Sequence, residues 1–394
     1  MTSGRLPLQA SIGLVALDAG YYGFLATLPL ALGRSGVPDA QIGLIVGAVA
    51  IVQVPTALIG GALVDRLGAG RVLAIAAAAY LFGALVLVSG FADPAASLAP
   101  FVLARVAQGV GFSLVRPAWL SLVPQVLPAR GAGTGMGIAM SVQNLSLIVV
   151  PPPSLLVLGD GDSLTGVAAF VAAAVAVGAL LLFSRYPRLQ PSNQPDPSVT
   201  RRRYGLAFRR TWLPPLALMM LYLIHWGVIT AYLPQRAELG AADVGLFFAM
   251  DGLFSLVLRV PSGWLVDRVH SRWLVLPGIL LSGVGVSLLL LPVTTPILVL
   301  AGALTGIGSV VIVTPIYAEL FTLSSANERG SAFALVSAAT ASGTLLGSAG
   351  LAPLVAAAGF EAAIVVAMAC FVVAILVAVA DSQLGKLHSA PQVA

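Results

Sequence analysis

The chain has 394 residues, of which 59% are hydrophobic and 9% charged. Soluble domains carry about 25% charged residues, so this composition leaves too little polar surface for a dissolved globule. The formal net charge of +5 does not indicate nucleic acid, because the basic residues lie between long apolar runs. The single cysteine, Cys370, excludes an intramolecular disulfide framework and a cysteine-based metal cluster.

A helix that crosses the hydrocarbon core needs about 20 mostly apolar residues. Breaking the apolar runs at charges, prolines and glycines predicts twelve spans: 8–31, 41–63, 72–91, 98–122, 134–157, 164–184, 212–234, 243–265, 273–291, 296–320, 331–356 and 362–380. Arg5 precedes an apolar stretch too long for a signal-peptide core, with further spans behind it, so it reads as the start of the first helix. Pro151, Pro152 and Pro153 interrupt the fifth span. The 42 glycines and 26 prolines suit helices that pack closely or kink in lipid.

Arg and Lys set the orientation. With the N-terminus inside, Arg5, Arg66, Arg71, Arg130, Arg185, Arg188, the cluster from Arg201 to Arg210, Arg268, Arg272, Arg329 and Lys386 are cytoplasmic. Only Arg34 and Arg236 fall outside. Both termini are therefore expected in the cytoplasm, with the protein in the plasma (inner) membrane. The polar stretch around 186–211 is rich in Pro, Ser, Asn and Arg and separates six spans from six. It reads as a cytoplasmic linker whose arginines can meet anionic lipid headgroups. The expected organisation is an N-terminal six-helix bundle over 1–185 and a C-terminal one over 212–394.

The halves resemble each other. Gly61-Ala62-Leu63-Val64-Asp65-Arg66 follows the second span, and Gly263-Trp264-Leu265-Val266-Asp267-Arg268 follows the eighth, 202 residues later. Gln108-Gly109-Val110-Gly111 in span four matches Thr305-Gly306-Ile307-Gly308 in span ten at an offset of 197 residues, and Arg130-Gly131 matches Arg329-Gly330 at 199. A near-constant offset over three features indicates duplication. Such repeats build secondary transporters, with the site near the midplane between the halves. The fold class is thus an all-α membrane protein, twelve transmembrane helices in two pseudo-symmetric six-helix bundles.

Gly61-x-Leu63-x-Asp65-Arg66-x-Gly68 with Arg71, placed between spans two and three, resembles the loop motif of the major facilitator superfamily, and the efflux-type permeases of bacteria in its layout. Its second copy is Gly263, Asp267 and Arg268. Arg105-x-x-Gln108-Gly109-x-Gly111 resembles the family's span-four motif of proton-coupled members. The resemblance implies that spans one, four, seven and ten line a central cavity. It makes Tyr21, Tyr22, Arg105, Trp119, Trp226 and Tyr232 candidate cavity residues. On the physics alone, Asp65 and Asp267 at the cytoplasmic mouth can accept hydrogen bonds from a helix N-terminus or pair with Arg, making a contact that breaks when the gate opens.

Charges inside spans are costly, so each should face a partner or a cavity. They are Asp18, Arg105, Arg116, His225, Asp251 and Arg259, with Glu319 near an inner end. A rise of about 1.5 Å per residue brings Asp18 and Arg116 to similar depth, and likewise His225 and Asp251. Asp18 is expected to be the principal proton-coupling carboxylate, ionised against Arg116 or protonated. Asp251 is its rival, with His225 as a potential pair.

The run Gly131-x-Gly133-x-Gly135-x-Gly137 imitates a phosphate loop but lacks the Lys-Ser/Thr ending and a preceding strand. No metal-ligand spacing or nucleophile elbow occurs, so no enzyme, metal or cofactor is expected. The expected function is transport of a small molecule by alternating access, as proton-coupled export (antiport) by a monomer. A facilitator or importer of a metabolite, and a non-transporting receptor or assembly protein, are the alternatives.

Overall fold

The computed structural model describes residues 5–88, 97–126, 141, 144–184, 208–235, 241–266, 268–269, 271–324 and 328–388, and these contain helices and no strand. Ten of the described helices are long and apolar enough to cross a membrane. In chain order the helices are α1 (Arg5–Tyr22), α2 (Thr27–Arg34), α3 (Asp39–Leu67), α4 (Ala69–Val88), α5 (Ala99–Val126), α6 (Pro151–Leu158) and α7 (Thr165–Phe183). The second half contains α8 (Leu213–Tyr232), α9 (Ala241–Val266), α10 (Ser271–Ser287), α11 (Thr295–Leu323), α12 (Arg329–Leu345) and α13 (Ala352–His388). The first span is α1 and α2 joined by a short turn. The fifth is an apolar helical stretch over Asn144–Leu158 that ends in α6. The molecule is thus an all-α membrane protein of twelve spanning helices in two related bundles. Most of the 186–211 linker lies outside the described residues.

Local chemistry explains several boundaries. The three prolines do not end the fifth span, because they occupy the first turn of α6. A proline there lacks only an N–H that the helix does not need. The eleventh span differs from the predicted 331–356. Its helix widens into a π-turn over Leu346–Gly350, and a break at Gly359, whose φ of 82° favours glycine, follows. Periodicity cannot see this turn because 351–358 is itself helical and apolar. Leu85, Leu156, Leu180 and Leu376 are exposed on the outside of the bundle, where lipid replaces water as their solvent.

The duplication is written into the contacts. A β-carbon added at Gly109 on α5 would collide with the backbone of Val49 on α3. One added at Gly306 on α11 would collide with the backbone of Asp251 on α9. Gly83 meets the Ala104 carbonyl, and Gly285 meets the Ala301 carbonyl. These pairs keep the 202 and 197 offsets of the sequence. Only a residue without Cβ permits such backbone approach. The halves also trade volume. Tyr80 on α4 fills the space over Gly20 of α1. In the second half the bulky residue sits on the other helix, where Tyr222 of α8 reaches Ser282 of α10, hydroxyl to hydroxyl, at 3.2 Å.

The halves meet along α3 against α12 and α8, and along α6 against α9. At the end opposite the termini the contact is tight. The Tyr232 hydroxyl donates to the Ser348 carbonyl, and Gly43 on α3 packs under both.

Candidate functional site

Between the halves lies a cavity of about 160 Å³. Its first-half wall comes from Tyr21 and Tyr22 on α1, Gln53 on α3, and Arg105, Phe112 and Arg116 on α5. The second-half wall comes from Tyr222, His225 and Trp226 on α8, Asp251, Ser255 and Arg259 on α9, Ser309 on α11, and Thr340 and Thr344 on α12. Among the described residues, three guanidinium groups face this space against one carboxylate.

Each arginine is held differently. Arg105 is 1% exposed. Its Nη1 donates to Gln108 Oε1 at 2.8 Å, and its guanidinium carbon lies 5.6 Å from the centre of the Tyr21 ring. Tyr21 stacks on Phe112 at 4.1 Å between centroids. A cation over an aromatic face is stabilised further where water is excluded. Arg116 spans the two halves, its Nη1 donating to the Tyr317 hydroxyl of α11 at 3.1 Å. Arg259 lies within electrostatic reach of Arg116, Tyr22, Tyr317 and Asp251. Asp251 lies beside Thr305, whose hydroxyl donates to the Ala301 and Gly302 carbonyls at 2.9 and 3.0 Å, and sits in the field of Arg259. On α9, Asp251, Ser255 and Arg259 recur at i, i+4 and i+8, which places them along one face of the helix. Gly306 fixes the Asp251 backbone against α11.

The remaining predicted residues separate into groups. Tyr21, Tyr22, Arg105, Arg116, His225, Trp226 and Asp251 line the cavity. Asp18 is fully buried but is not on the cavity wall. It lies within electrostatic reach of Tyr22 and Tyr80, and its two carboxylate oxygens accept no hydrogen bond from the described residues. Arg116, its partner by depth, lies within electrostatic reach of it and also donates to the Tyr317 hydroxyl. His225 does not meet Asp251 through Nδ1, which hydrogen-bonds the Tyr222 carbonyl. Its ring packs between Tyr222 and Phe371 at 4.6 and 5.2 Å. Trp119 is fully buried in the packed interior, and Tyr232 belongs to the closed end rather than the cavity.

The two loop motifs are partly visible. Gly61, Asp65 and Arg66 lie in the last turns of α3, and the side chains of Asp65 and Arg66 lie outside the described residues. Gly68 ends that helix with φ 79° and donates its N–H to the Val64 carbonyl at 2.8 Å. That left-handed conformation explains the glycine. Arg71 is exposed at the start of α4. In the second copy Gly263 is buried in α9, and Asp267 lies outside the described residues. Arg268 lies over the Trp264 ring at 3.7 Å. In the span-four motif, Gln108 anchors Arg105, Gly109 admits α3 and Gly111 admits the Tyr80 ring.

Arg259 was recognised in the sequence only as an intramembrane charge, and Gln53, Tyr222, Ser255, Ser309, Thr340 and Thr344 were not singled out. The helical spacing of Asp251, Ser255 and Arg259 was the available signal for α9. The hydroxyl residues carry none, because Ser and Thr also bond their own helix backbone in apolar spans, as Thr340 does to Val336.

Two curated relatives match in sequence. One, described as a probable sulfoacetate transporter of Cupriavidus necator, is 23% identical over 265 residues, covering 62% of this chain and 60% of the relative. The other, described as a probable 4-methylmuconolactone transporter of Cupriavidus pinatubonensis, is 28% identical over 333 residues, 78% of this chain and 74% of the relative. Among solved structures, a POT family transporter in complex with 5-aminolevulinic acid has a TM-score of 0.77 at 14% identity, covering 96% of both chains. A bacterial homologue of the iron transporter ferroportin in an inward-facing state has a TM-score of 0.71 at 18% identity, covering 97% of this chain and 100% of that one. These likenesses establish the fold. The Major Facilitator Superfamily profile matches residues 10–242 and 216–391, which together take in both halves of the duplicated architecture described above, and the chain belongs to that superfamily of membrane transporters.

Proposed function

We propose that this transporter carries a small organic acid, as its anion, across the plasma membrane by alternating access coupled to protons. The observation behind the proposal is the cavity's charge: Arg105, Arg116 and Arg259 against Asp251, contributed by both halves. Guanidinium groups suit carboxylate and sulfonate oxygens, since their planar donors match such acceptors. In a water-poor cavity the excess positive charge lowers the free energy of an anion that bridges the halves. The two curated relatives are named for sulfoacetate and 4-methylmuconolactone, both small organic acids, and the cavity volume suits molecules of that scale.

Alternating access then requires the two ends to open in turn. The end sealed by Gly43, Tyr232 and Ser348 must loosen when the other closes. Asp65 and Asp267 are the proposed latches of the end that bears the termini. Both termini and the linker are assigned to the cytoplasm on the basic bias of the loops, and a monomer suffices because the cavity lies within one chain. Export and uptake use the same cavity. Export driven by proton influx requires the acid and the proton to displace each other, whereas uptake requires them to bind together.

The test is a melting-shift panel in detergent with sulfoacetate, 4-methylmuconolactone, succinate and benzoate, followed by flux of any binder in proteoliposomes. A bound acid raises Tm by mass action, and flux is expected only with the intact cavity. Failure of all four acids, together with a shift from organic cations, overturns the organic-acid reading. Orientation is checked separately by Ser192→Cys and Ala390→Cys in a Cys370→Ala background. Labelling by an impermeant thiol reagent in sealed cells would reverse the topology.

A further inference from the structure

The second copy of the loop motif carries a tryptophan that the first lacks. Trp264 stands where Ala62 stands 202 residues earlier, and Trp273 follows in the first turn of α10. Both face outward, 54% and 66% exposed. Each also ends an apolar stripe. On α9 the exposed residues Leu253, Val257, Val260 and Trp264 recur at i, i+4, i+7 and i+11, which is one face of a helix. On α10 Trp273, Leu280 and Val284 recur at i, i+7 and i+11. Both helices pack their other sides on α11, where Gly306 admits the Asp251 backbone of α9 and Gly308 admits the Gly278 carbonyl of α10. The stripes therefore face lipid, and the two indoles close them at the end that bears the termini. An indole in that place lies at headgroup level. Arg268 comes between them in the chain. Its guanidinium carbon is 3.7 Å from the centre of the Trp264 ring, and Nη1 donates to the Trp264 carbonyl at 3.4 Å. The side chain is exposed, and among the described residues no carboxylate lies within ion-pair distance of it. Arg209, at the same end, is the contrast: Glu328 holds it at 2.7 Å.

We propose that the corner formed by Trp264, Arg268 and Trp273 binds the headgroup of an anionic phospholipid in the leaflet at the end that bears the termini. The phosphodiester oxygens accept from Arg268, whose planar donors suit phosphate, and the acyl chains lie along the two apolar stripes. The Trp264 ring holds the guanidinium at the bilayer surface, so little rotamer freedom is lost when the lipid arrives. A zwitterionic lipid offers the same phosphate, but its own cation cancels the charge that Arg268 answers. A free anion has no chains and gains nothing from the stripes. The site belongs to the second half alone, because Ala62 gives the first half no ring at the corresponding place. It stands on the outer surface of the bundle and does not depend on which solute the cavity carries.

The experiment places the full chain in phosphatidylcholine nanodiscs that contain a small fixed fraction of lipid with brominated chains, supplied either as phosphatidylglycerol or as phosphatidylcholine, and reads tryptophan fluorescence. Bromine quenches on contact. Of the five tryptophans, Trp119 and Trp212 are fully buried and Trp226 faces the cavity, so quenching reports on Trp264 and Trp273. Wild type should prefer brominated phosphatidylglycerol about fivefold, the effect of one arginine at an anionic surface. Arg268→Gln should abolish the preference. Arg268→Lys should keep part of it, since the charge stays while the planar fork is lost. Trp264→Leu, with Trp273 left as reporter, should at least roughly halve it, because Arg268 loses its seat. Equal quenching by the two lipids in wild type overturns the proposal. So does a preference that survives Arg268→Gln, which would assign it to the arginines of the linker. Loss of the preference in millimolar inorganic phosphate at constant ionic strength would make this a site for free anions and overturn the lipid assignment.

Discussion

Asp18 and Asp251 are both acids in the middle of apolar spans, 0% and 5% exposed, and one half of the molecule holds each. Each lies in the field of an arginine, Arg116 for Asp18 and Arg259 for Asp251, but their access to the cavity differs. Asp18 is enclosed near Tyr80 and Tyr22, away from the cavity, with no hydrogen-bond donor among the described residues. Asp251 sits on the cavity wall with Thr305 beside it and Arg259 along the same helix face. Depth in the membrane alone does not put a carboxyl on the solute path; the neighbours that it meets on other helices and other turns do.

The largest expected effect tests the cation. Arg259→Gln removes a guanidinium in whose field Asp251 lies and one donor fork from the anion. Truncating one partner of a buried charge pair costs about 2–5 kcal/mol in binding, so acid affinity measured by calorimetry should fall by at least roughly thirtyfold. A fall of less than threefold would place the anion elsewhere.

The second prediction concerns stability and has opposite signs at the two acids. Asp18→Val removes a buried polar group that accepts no hydrogen bond, and should stabilise by about 1–3 kcal/mol, seen as a Tm rise of a few degrees in detergent. Asp251→Val removes a carboxylate from the field of Arg259 and should lower Tm. Destabilisation by Asp18→Val as large as that by Asp251→Val would show that Asp18 has a partner of equal weight.

A third prediction moves the acid across the pseudo-symmetry. Val49→Asp in the Asp251→Val background puts a carboxyl on the equivalent backbone seat, 3% exposed in the present chain and on the cavity wall with Arg105. Part of the pH dependence of acid binding that Asp251→Val removes should return, to about a tenth of the wild-type effect. No recovery at any pH would show that Thr305 and Arg259, rather than position alone, define the site.

The smallest effect is at the bridge between halves. Tyr317→Phe deletes the hydroxyl that accepts from Arg116, a bond to a charged group worth about 1.5 kcal/mol. The equilibrium between the two cavity orientations should shift about tenfold, read as a change in spin-label distance across the end that bears the termini. An unchanged distribution would mean that the bond forms in both states.

The amino-acid sequence was sufficient for class and family. Long apolar runs demand helices in lipid because no other partner exists there for backbone polar groups. The repeated Gly-Asp-Arg and Gly-x-Gly signatures carried the duplication, since glycines mark backbone approaches that tolerate no Cβ. The buried charges were also legible: Arg105, Arg116, His225 and Asp251 were expected in the spans and do line the cavity. Which acid faces the solute path was not. Asp18 and Asp251 are equivalent by depth and hydropathy, and their difference arises where α4 delivers Tyr80 to one while α11 delivers Thr305 to the other. Depth brought Arg116 within electrostatic reach of Asp18, but its reach across the interface to Tyr317 depends on how the halves close. A linear pattern specifies which face of a helix is polar. Which neighbour meets that face, and whether water or a solute can reach it, is decided only when the two bundles pack.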